Sequence, residues 1–125
     1  GEHLVAAFLC SQDWHPVISD ADGYDIFATR DPHILRVQVK GTLEPQKDKE
    51  RSNRKCWKWT VGLGCRKNIL IPTDHYDVLA LVALEPNVIQ FVNAKDVNKK
   101  TFRTKPDSLS DRTAEDTWKD VVAKL

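Results

Sequence analysis

Long apolar runs and cysteines are scarce in this chain, and each absence excludes a class of protein. No apolar run approaches the ~20 residues of a transmembrane helix, so we expect no membrane segment. The three cysteines, Cys10, Cys56 and Cys65, form no CxxC pair, and neither Cys56 nor Cys65 stands at zinc-ligand spacing from His33 or His75. This pattern argues against a disulfide framework and a zinc finger. We therefore expect reduced thiols and a cytoplasmic, intracellular protein.

The chain also lacks an excess of charge of either sign. It has 19 basic and 18 acidic residues and a formal net charge of +1. Overall charge therefore does not indicate a nucleic-acid partner, and any basic surface must be local. Hydrophobic residues make up 41% and charged residues 30% of the chain, which is typical of a globular protein. Its 125 residues suffice for one sizeable core, so we expect a single domain over 1–125.

Hydrophobic periodicity predicts a helix near each end of the chain with strands between them. Apolar residues at helical spacing predict amphipathic helices over 2–13 and 113–125, the second capped by Ser110, Asp111 or Thr113. Strands are predicted at 24–29, 34–40, 56–61, 68–71, 76–84 and 88–92, a short extended piece at 15–18, and a polar loop at 41–55. This order is typical of an α/β or α+β fold with a central mixed sheet flanked by helices.

The strand predicted at 34–40 separates apolar from polar side chains. Successive residues of a strand point to opposite faces, so Leu35, Val37 and Val39 face one way. Arg36, Gln38 and Lys40 face the other way, as the alternating residues in the sequence show. A short polar connection from the strand at 24–29 favours an antiparallel hairpin, which brings Asp25 towards this polar face.

These polar residues are suited to a metal site that hydrolyses phosphodiesters. Magnesium prefers oxygen ligands and keeps several waters, so one carboxylate and a few carbonyl oxygens can hold it. We expect Asp25 to supply the carboxylate, with Gln38 and the backbone carbonyl of Val39 as neutral ligands. Lys40 would stabilise charge and orient the attacking water, and Glu2 would support the site from the first helix. The alternative is that Asp25 is an ordinary solvent-facing carboxylate.

Three segments in this order resemble the PD-(D/E)XK nuclease superfamily. They are Gly1-Glu2 with Val5-Ala6, the run from Asp22 to Phe27 (DGYDIF), and the run from Arg36 to Lys40 (RVQVK). The similarity is greatest to the group I intron homing endonucleases of this fold, and next to archaeal-type Holliday junction resolvases. Glu2, Asp25 and Lys40 match the motif positions. Gln38 replaces the commoner Glu or Asp, as it does in the homing branch.

The resemblance implies a restriction-endonuclease-like core and a DNA endonuclease. Its implied cofactor is Mg²⁺, for which Mn²⁺ would substitute, and its implied substrate is double-stranded or branched DNA. Because one such site cuts one strand, cleavage of both strands implies a homodimer or homotetramer.

Two groups of basic residues stand outside these motifs. Arg51, Arg54, Lys55, Lys58, Arg66 and Lys67 surround Trp57 and Trp59 in sequence. They would offer DNA-phosphate contacts beside aromatic surfaces, or they are solvated charges next to tryptophans that belong to the core. A second group, Lys95, Lys99, Lys100, Arg103 and Lys105, is predicted to be an ordinary solvated loop.

Two other functions remain open at this point. The neutral Gln38 lowers the negative charge of the site, which would suit a non-catalytic DNA-binding module on the same scaffold. A small protein-interaction domain is the third possibility, and it predicts no salt-dependent affinity for DNA.

Overall fold

The computed structural model describes residues 1–19, 24–63, 66–70 and 75–125, with backbone only for 62–63 and 66–70. Within these ranges lie two α-helices, α1 (Glu2–Ser11) and α2 (Ala114–Val122). The strands there are β1 (His15–Ile18), β2 (Ile26–Arg30), β3 (His33–Thr42), β4 (Gln46–Asp48), β5 (Arg54–Thr60), β6 (Gly62–Leu63), β7 (Arg66–Leu70), β8 (Val78–Ala83), β9 (Val88–Asn93) and β10 (Thr101–Thr104). Short 3₁₀ helices span Lys49–Arg51, Ala94–Asp96 and Pro106–Ser108.

Five strands form a central mixed sheet in the order β1-β2-β3-β8-β9. Neighbouring strands are antiparallel except β3 and β8, which run parallel. All six residues of β8 are buried, because β3 and β9 flank the strand and both faces of the sheet are covered there. The predicted mixed α+β architecture and the β2–β3 hairpin are confirmed.

The helices cover one face of this sheet. Val5 and Leu9 of α1 and Trp118 and Val121 of α2 pack in one apolar cluster with Val37 and its neighbours on the strands. α2 begins at a capping box, in which Thr113 Oγ1 accepts from Asp116 N–H and Asp116 Oδ2 accepts from Thr113 N–H. Thr113 is therefore the cap among the three predicted candidates, because it alone satisfies the first turn's N–H groups in this reciprocal way.

A second sheet, in the order β10-β5-β4, lies over the other face. Trp57 and Trp59 of β5 stack at 6.3 Å between ring centroids, pack in a second apolar cluster with Leu79 and Leu81, and are only 4% and 1% exposed. Trp59 also donates its indole N–H to the carbonyl of Val82 at 3.0 Å. Both tryptophans therefore belong to the core, and the interpretation of these rings as surfaces for nucleic acid is wrong.

Two segments predicted as loops contain strands instead. In the stretch 41–55, β3 continues to Thr42, β4 pairs with β5, and β5 begins at Arg54. The second basic group contains β10, which pairs antiparallel with β5. These strands are not recognisable from their polar sequences. One face of the second sheet is polar, and only the opposite face packs on the core. The strand predicted at 68–71 is β7, shifted to Arg66–Leu70, and Ile71 lies outside the described residues.

No helix within the described ranges is long and apolar enough to cross a membrane.

Candidate functional site

The β2–β3 hairpin places Asp25 beside the polar side chains of β3. Ile26 is paired with Val37, so Asp25, one residue earlier, lies opposite Gln38 and shares its face with Gln38 and Lys40. The Asp25 N–H donates to the carbonyl of Val37 at 2.8 Å, and the Asp25 carbonyl accepts from the Ser19 N–H at 2.8 Å. The backbone on both sides of Asp25 is therefore fixed by strand-like hydrogen bonds. The preceding Asp22-Gly23 of the motif lies outside the described residues.

The Asp25 carboxylate is held through one oxygen. Its Oδ2 accepts from the Gln38 Nε2–H at 3.0 Å and from the Val39 N–H at 2.8 Å. No described residue donates to Oδ1, and none donates to Gln38 Oε1, so each is available as a ligand. Gln38 is 7% exposed, so this polar pair lies at the edge of the interior. The contacts orient the carboxylate while leaving oxygen atoms for a cation.

Electrostatics at Asp25 act in both directions. Partial burial raises the pKa of Asp25 most strongly, and the charge of Glu2 raises it further. The hydrogen bond from Val39 N–H and the charge of Lys40 lower it, but the net shift is upward. A carboxylate whose charge is disfavoured in this way gains from a nearby cation. Glu2 and Lys40 both lie close enough to act on Asp25, as the sequence predicted.

The start of α1 lies against the end of β3, which explains how Glu2 reaches the site. A side-chain Cβ at Gly1 would come within 3.3 Å of Val39 Cγ1, so the chain passes closely over β3 there. Glu2 follows in the first turn of α1 and is half-buried. The structure thus brings together the four predicted catalytic residues, which lie up to 38 positions apart in the sequence (Glu2, Asp25, Gln38 and Lys40).

The oxygen atoms of the predicted ligands would suit a hard cation better than a transition metal. Glu2 and Asp25 would provide carboxylates, and Gln38 and the Val39 carbonyl would provide neutral oxygens. No group of three or more His, Cys, Asp or Glu side chains able to hold a metal occurs in the described part of the chain. An ion held here would therefore depend on neutral oxygens and water, as magnesium commonly does.

The basic residues predicted to contact DNA do not all line one cleft of the described structure. Arg51, Arg54 and Lys55 are exposed and line one cleft of about 680 Å³. Lys58 is half-buried on β5, and the side chains of Arg66 and Lys67 lie outside the described part of the structure.

The same cleft contains two residues of the second basic group, which the sequence predicts to be a solvated loop. Arg103 and Lys105 line it from β10 and the turn that follows, because β10 pairs with β5. Their role was missed because 101–104 was not recognised as a strand. The sequence holds no clear signal for this strand, because Phe102 is the one apolar residue of 101–104 and no alternation results. Residues lining this opening between β4, β5 and β10 are called the basic cleft below.

The fold resembles that of a solved structure, the bacterial homing endonuclease I-Ssp6803I. The TM-score is 0.67 and the sequence identity 15%, and the match covers 98% of this chain and 88% of that one. No protein-family model and no curated protein sequence matches the chain. At this identity the similarity establishes the shared fold, a central mixed sheet with a second sheet and two helices.

Proposed function

We propose that this protein is a metal-dependent DNA endonuclease of the PD-(D/E)XK type that hydrolyses phosphodiester bonds in the manner of homing endonucleases. The observation that carries the proposal is the hydrogen-bonded pair of Asp25 and Gln38, with Glu2 and Lys40 acting on the same carboxylate. The fold shared with a bacterial homing endonuclease supports it.

The roles of the residues follow from their contacts. Asp25, Gln38 and the Val39 carbonyl would hold Mg²⁺ or Mn²⁺, and Glu2 would assist from α1. Bound there, the ion would supply Lewis acidity for the scissile phosphate and for the attacking water. The Val39 N–H and the Gln38 amide hold the Asp25 carboxylate in place. Lys40, two residues along the same face, would stabilise the negative charge that develops on the phosphate and orient the water.

The substrate class is double-stranded or branched DNA. One site of this kind cuts one strand, so cleavage of a duplex would require two copies acting together. We therefore include a homodimer or homotetramer in the proposal.

The experiment that tests the proposal is cleavage of supercoiled plasmid and of a four-way junction, with and without magnesium. Wild type and Lys40→Ala are compared, with Lys119→Ala as the control because Lys119 is an exposed lysine on α2. We expect magnesium-dependent cutting by wild type and by the control and none by Lys40→Ala. Plasmid preference would favour homing-like activity, and junction preference resolvase-like activity. Equal cutting by Lys40→Ala would contradict the assignment.

A second candidate is a non-catalytic DNA-binding module on the same scaffold. It is favoured by the neutral Gln38 at a position where a carboxylate would strengthen metal binding. Thermal unfolding in magnesium or manganese separates the two functions, because a ligand bound to the folded state stabilises it by an amount set by its concentration and dissociation constant. A nuclease site predicts a rise in melting temperature, and a non-catalytic module with no metal site predicts none.

A further inference from the structure

We propose that the basic cleft binds the sugar-phosphate backbone of DNA, with Arg103 as a central phosphate contact and Asp48 as the residue that positions it. The inference rests on the proposed action on DNA and identifies a binding surface separate from the Asp25 site.

Strand register explains why these side chains gather on one surface. Asp48 of β4 pairs with Arg54, and Arg103 of β10 pairs with Lys58, so all four side chains lie on the same face of the second sheet. The alternate residues of β5 turn the opposite way into the core, as the buried Trp57 shows. The second sheet therefore has an apolar inner face and a charged outer face.

Arg103 is held in a fixed orientation by two carboxylates. Its Nε donates to Asp48 Oδ2 at 2.7 Å, and its Nη2 donates to Glu50 Oε2 at 2.7 Å. The Asp48 side chain is only 1% exposed, whereas that of Arg103 is 20% exposed. A guanidinium carries five N–H donors in a planar fork, so donors remain for a phosphate oxygen.

The Asp48 carboxylate is itself held in place by further hydrogen bonds. It also accepts from the Glu50 N–H at 3.2 Å and from the Cys56 thiol at 3.8 Å. Desolvation raises the pKa of Asp48, but the hydrogen bond and charge of Arg103 and the Glu50 N–H outweigh it, and the net shift is downward. Asp48 is thus an ionised, nearly inaccessible carboxylate whose geometry fixes Arg103 at the surface.

The charge around the cleft fits an extended polyanion. Arg51, Arg54, Lys55, Arg103 and Lys105 line it, against the carboxylates of Asp48 and Asp107. The basic side chains come from three chain segments and lie along the opening. A DNA backbone, with its regular phosphates, matches such a distribution.

The cleft is also connected to the candidate catalytic strand. Thr42 lies two residues beyond Lys40 on β3, and its hydroxyl donates to the carbonyl of Lys58 on β5 at 2.7 Å. Lys58 in turn is paired with Arg103. These contacts join the sheet that carries the cleft to the strand that carries Gln38 and Lys40.

The test is the salt dependence of DNA binding without divalent metal, so that no cleavage occurs. Affinity for a fluorescent DNA duplex is measured by anisotropy between 50 and 200 mM salt. The variants are Arg103→Gln and the double variant Arg54→Gln/Lys105→Gln, with Lys119→Gln as the control. Each lost phosphate contact should reduce the slope of log K against log salt by about 0.9. We expect a reduction of about 0.9 for Arg103→Gln, about 1.8 for the double variant, and none for Lys119→Gln.

Asp48→Asn tests positioning separately from charge. The substitution removes one negative charge, so a purely electrostatic account predicts tighter binding. If Asp48 positions Arg103, a folded Asp48→Asn protein binds DNA more weakly despite the loss of that negative charge. Tighter binding by the folded variant would overturn the positioning role.

The outcomes distinguish this inference from the proposed nuclease. Unchanged slopes for both cleft variants, with wild type still binding DNA, would overturn the cleft and leave the nuclease intact. Reduced slopes together with full cleavage by Lys40→Ala would support the cleft and reject the nuclease site. No salt-dependent binding by wild type would reject both. The double variant keeps the test decisive if Arg103→Gln fails to fold, because Arg54 and Lys105 are exposed.

Discussion

At the scale of single residues, Asp25 is a carboxylate that the fold orients but does not neutralise. Two donors fix its Oδ2, yet desolvation and Glu2 raise its pKa against the opposing effects of Val39 and Lys40. Because its pKa is raised, ionised Asp25 lowers the stability of the folded protein, and a bound cation would offset that loss. The proposed metal ion would act on this balance by favouring the ionised form of Asp25.

Asp25→Asn should therefore separate stability from metal response. With the pKa of Asp25 raised in the folded state, its contribution to stability is present at low pH and is lost as pH rises through the folded pKa. At neutral pH without metal, we expect Asp25→Asn to unfold at the same temperature as wild type or higher. In magnesium it should lose the metal-induced stabilisation, which for wild type is about 2.7 kcal/mol at 100 times the dissociation constant. Thermal melts in chelator and in magnesium check both parts, and a destabilised variant that keeps the magnesium shift would contradict them.

Gln38→Glu should have the opposite effect on stability in chelator and on the response to magnesium. It removes the Nε2 donor to Asp25 and adds a buried negative charge beside it, which we expect to lower stability in chelator by about 1–3 kcal/mol. The added carboxylate should enlarge the magnesium response. Chemical denaturation at several magnesium concentrations measures both, and an unchanged magnesium response would count against Gln38 as a ligand.

At the scale of elements, a charged contact joins β3 to the beginning of β8. Arg36 donates from its backbone N–H to Asp77 Oδ2 at 2.8 Å, and its guanidinium contacts both oxygens of Asp77 at 3.2 Å. The Asp77 N–H donates back to the Arg36 carbonyl at 2.8 Å. These bonds set the register of the parallel β3–β8 pair, and that register places Gln38 and Lys40 next to the buried β8.

The Arg36–Asp77 contact predicts a specific acid sensitivity. Desolvation raises the pKa of Asp77, but the hydrogen bonds and charge of Arg36 outweigh it and leave the pKa below its ordinary 3.8. Its contribution to stability is therefore complete above pH 3.8 and is lost as pH falls through the lower folded value. Asp77→Asn should be less stable than wild type at neutral pH, and the difference should shrink on acidification. Denaturant melts from pH 7 to pH 2 measure it, and a difference independent of pH would refute the linkage.

The elements also show how far the sequence alone could go. The helices were predictable from their apolar period, the β2–β3 hairpin from its short polar connection, and the buried β8 from a nearly continuous apolar run. β4 and β10 were not, since their stability depends on pairing with β5 and on Asp48 meeting Arg103, 55 residues away. Strand alternation and one hairpin suffice to bring three of the four candidate site residues together, and their role as a site stays a prediction. Arg51, Arg54 and Lys55 of the basic cleft were predicted as DNA contacts, but Arg103 and Lys105 were not, because their place in the cleft requires the unpredicted β10.

At the scale of the whole molecule, the central sheet separates two apolar cores, one on each of its faces. One core packs under the two helices, and the other packs between the central sheet and the second sheet. The second sheet in turn carries the basic cleft on its outer surface. The two sheets are joined by the hydrogen bond from the Thr42 hydroxyl to the Lys58 carbonyl.

Cleavage of both DNA strands would require two such molecules. We expect sedimentation at micromolar concentration to show a homodimer or homotetramer. The Asp25→Asn protein should sediment identically, because Asp25 contributes to the site within one chain. A purely monomeric profile that persists with DNA present would contradict the proposed assembly.

The most direct test of the metal-dependent nuclease is to measure DNA binding and cleavage together on wild type and Asp25→Asn. Both proteins are titrated onto the same plasmid DNA, binding is followed in chelator, and cleavage is followed after magnesium is added. We predict equal binding and a cleavage rate for Asp25→Asn at least about 100-fold below that of wild type, the order of loss expected when a key electrostatic group is removed. Equal cleavage rates for the two proteins would contradict the central claim.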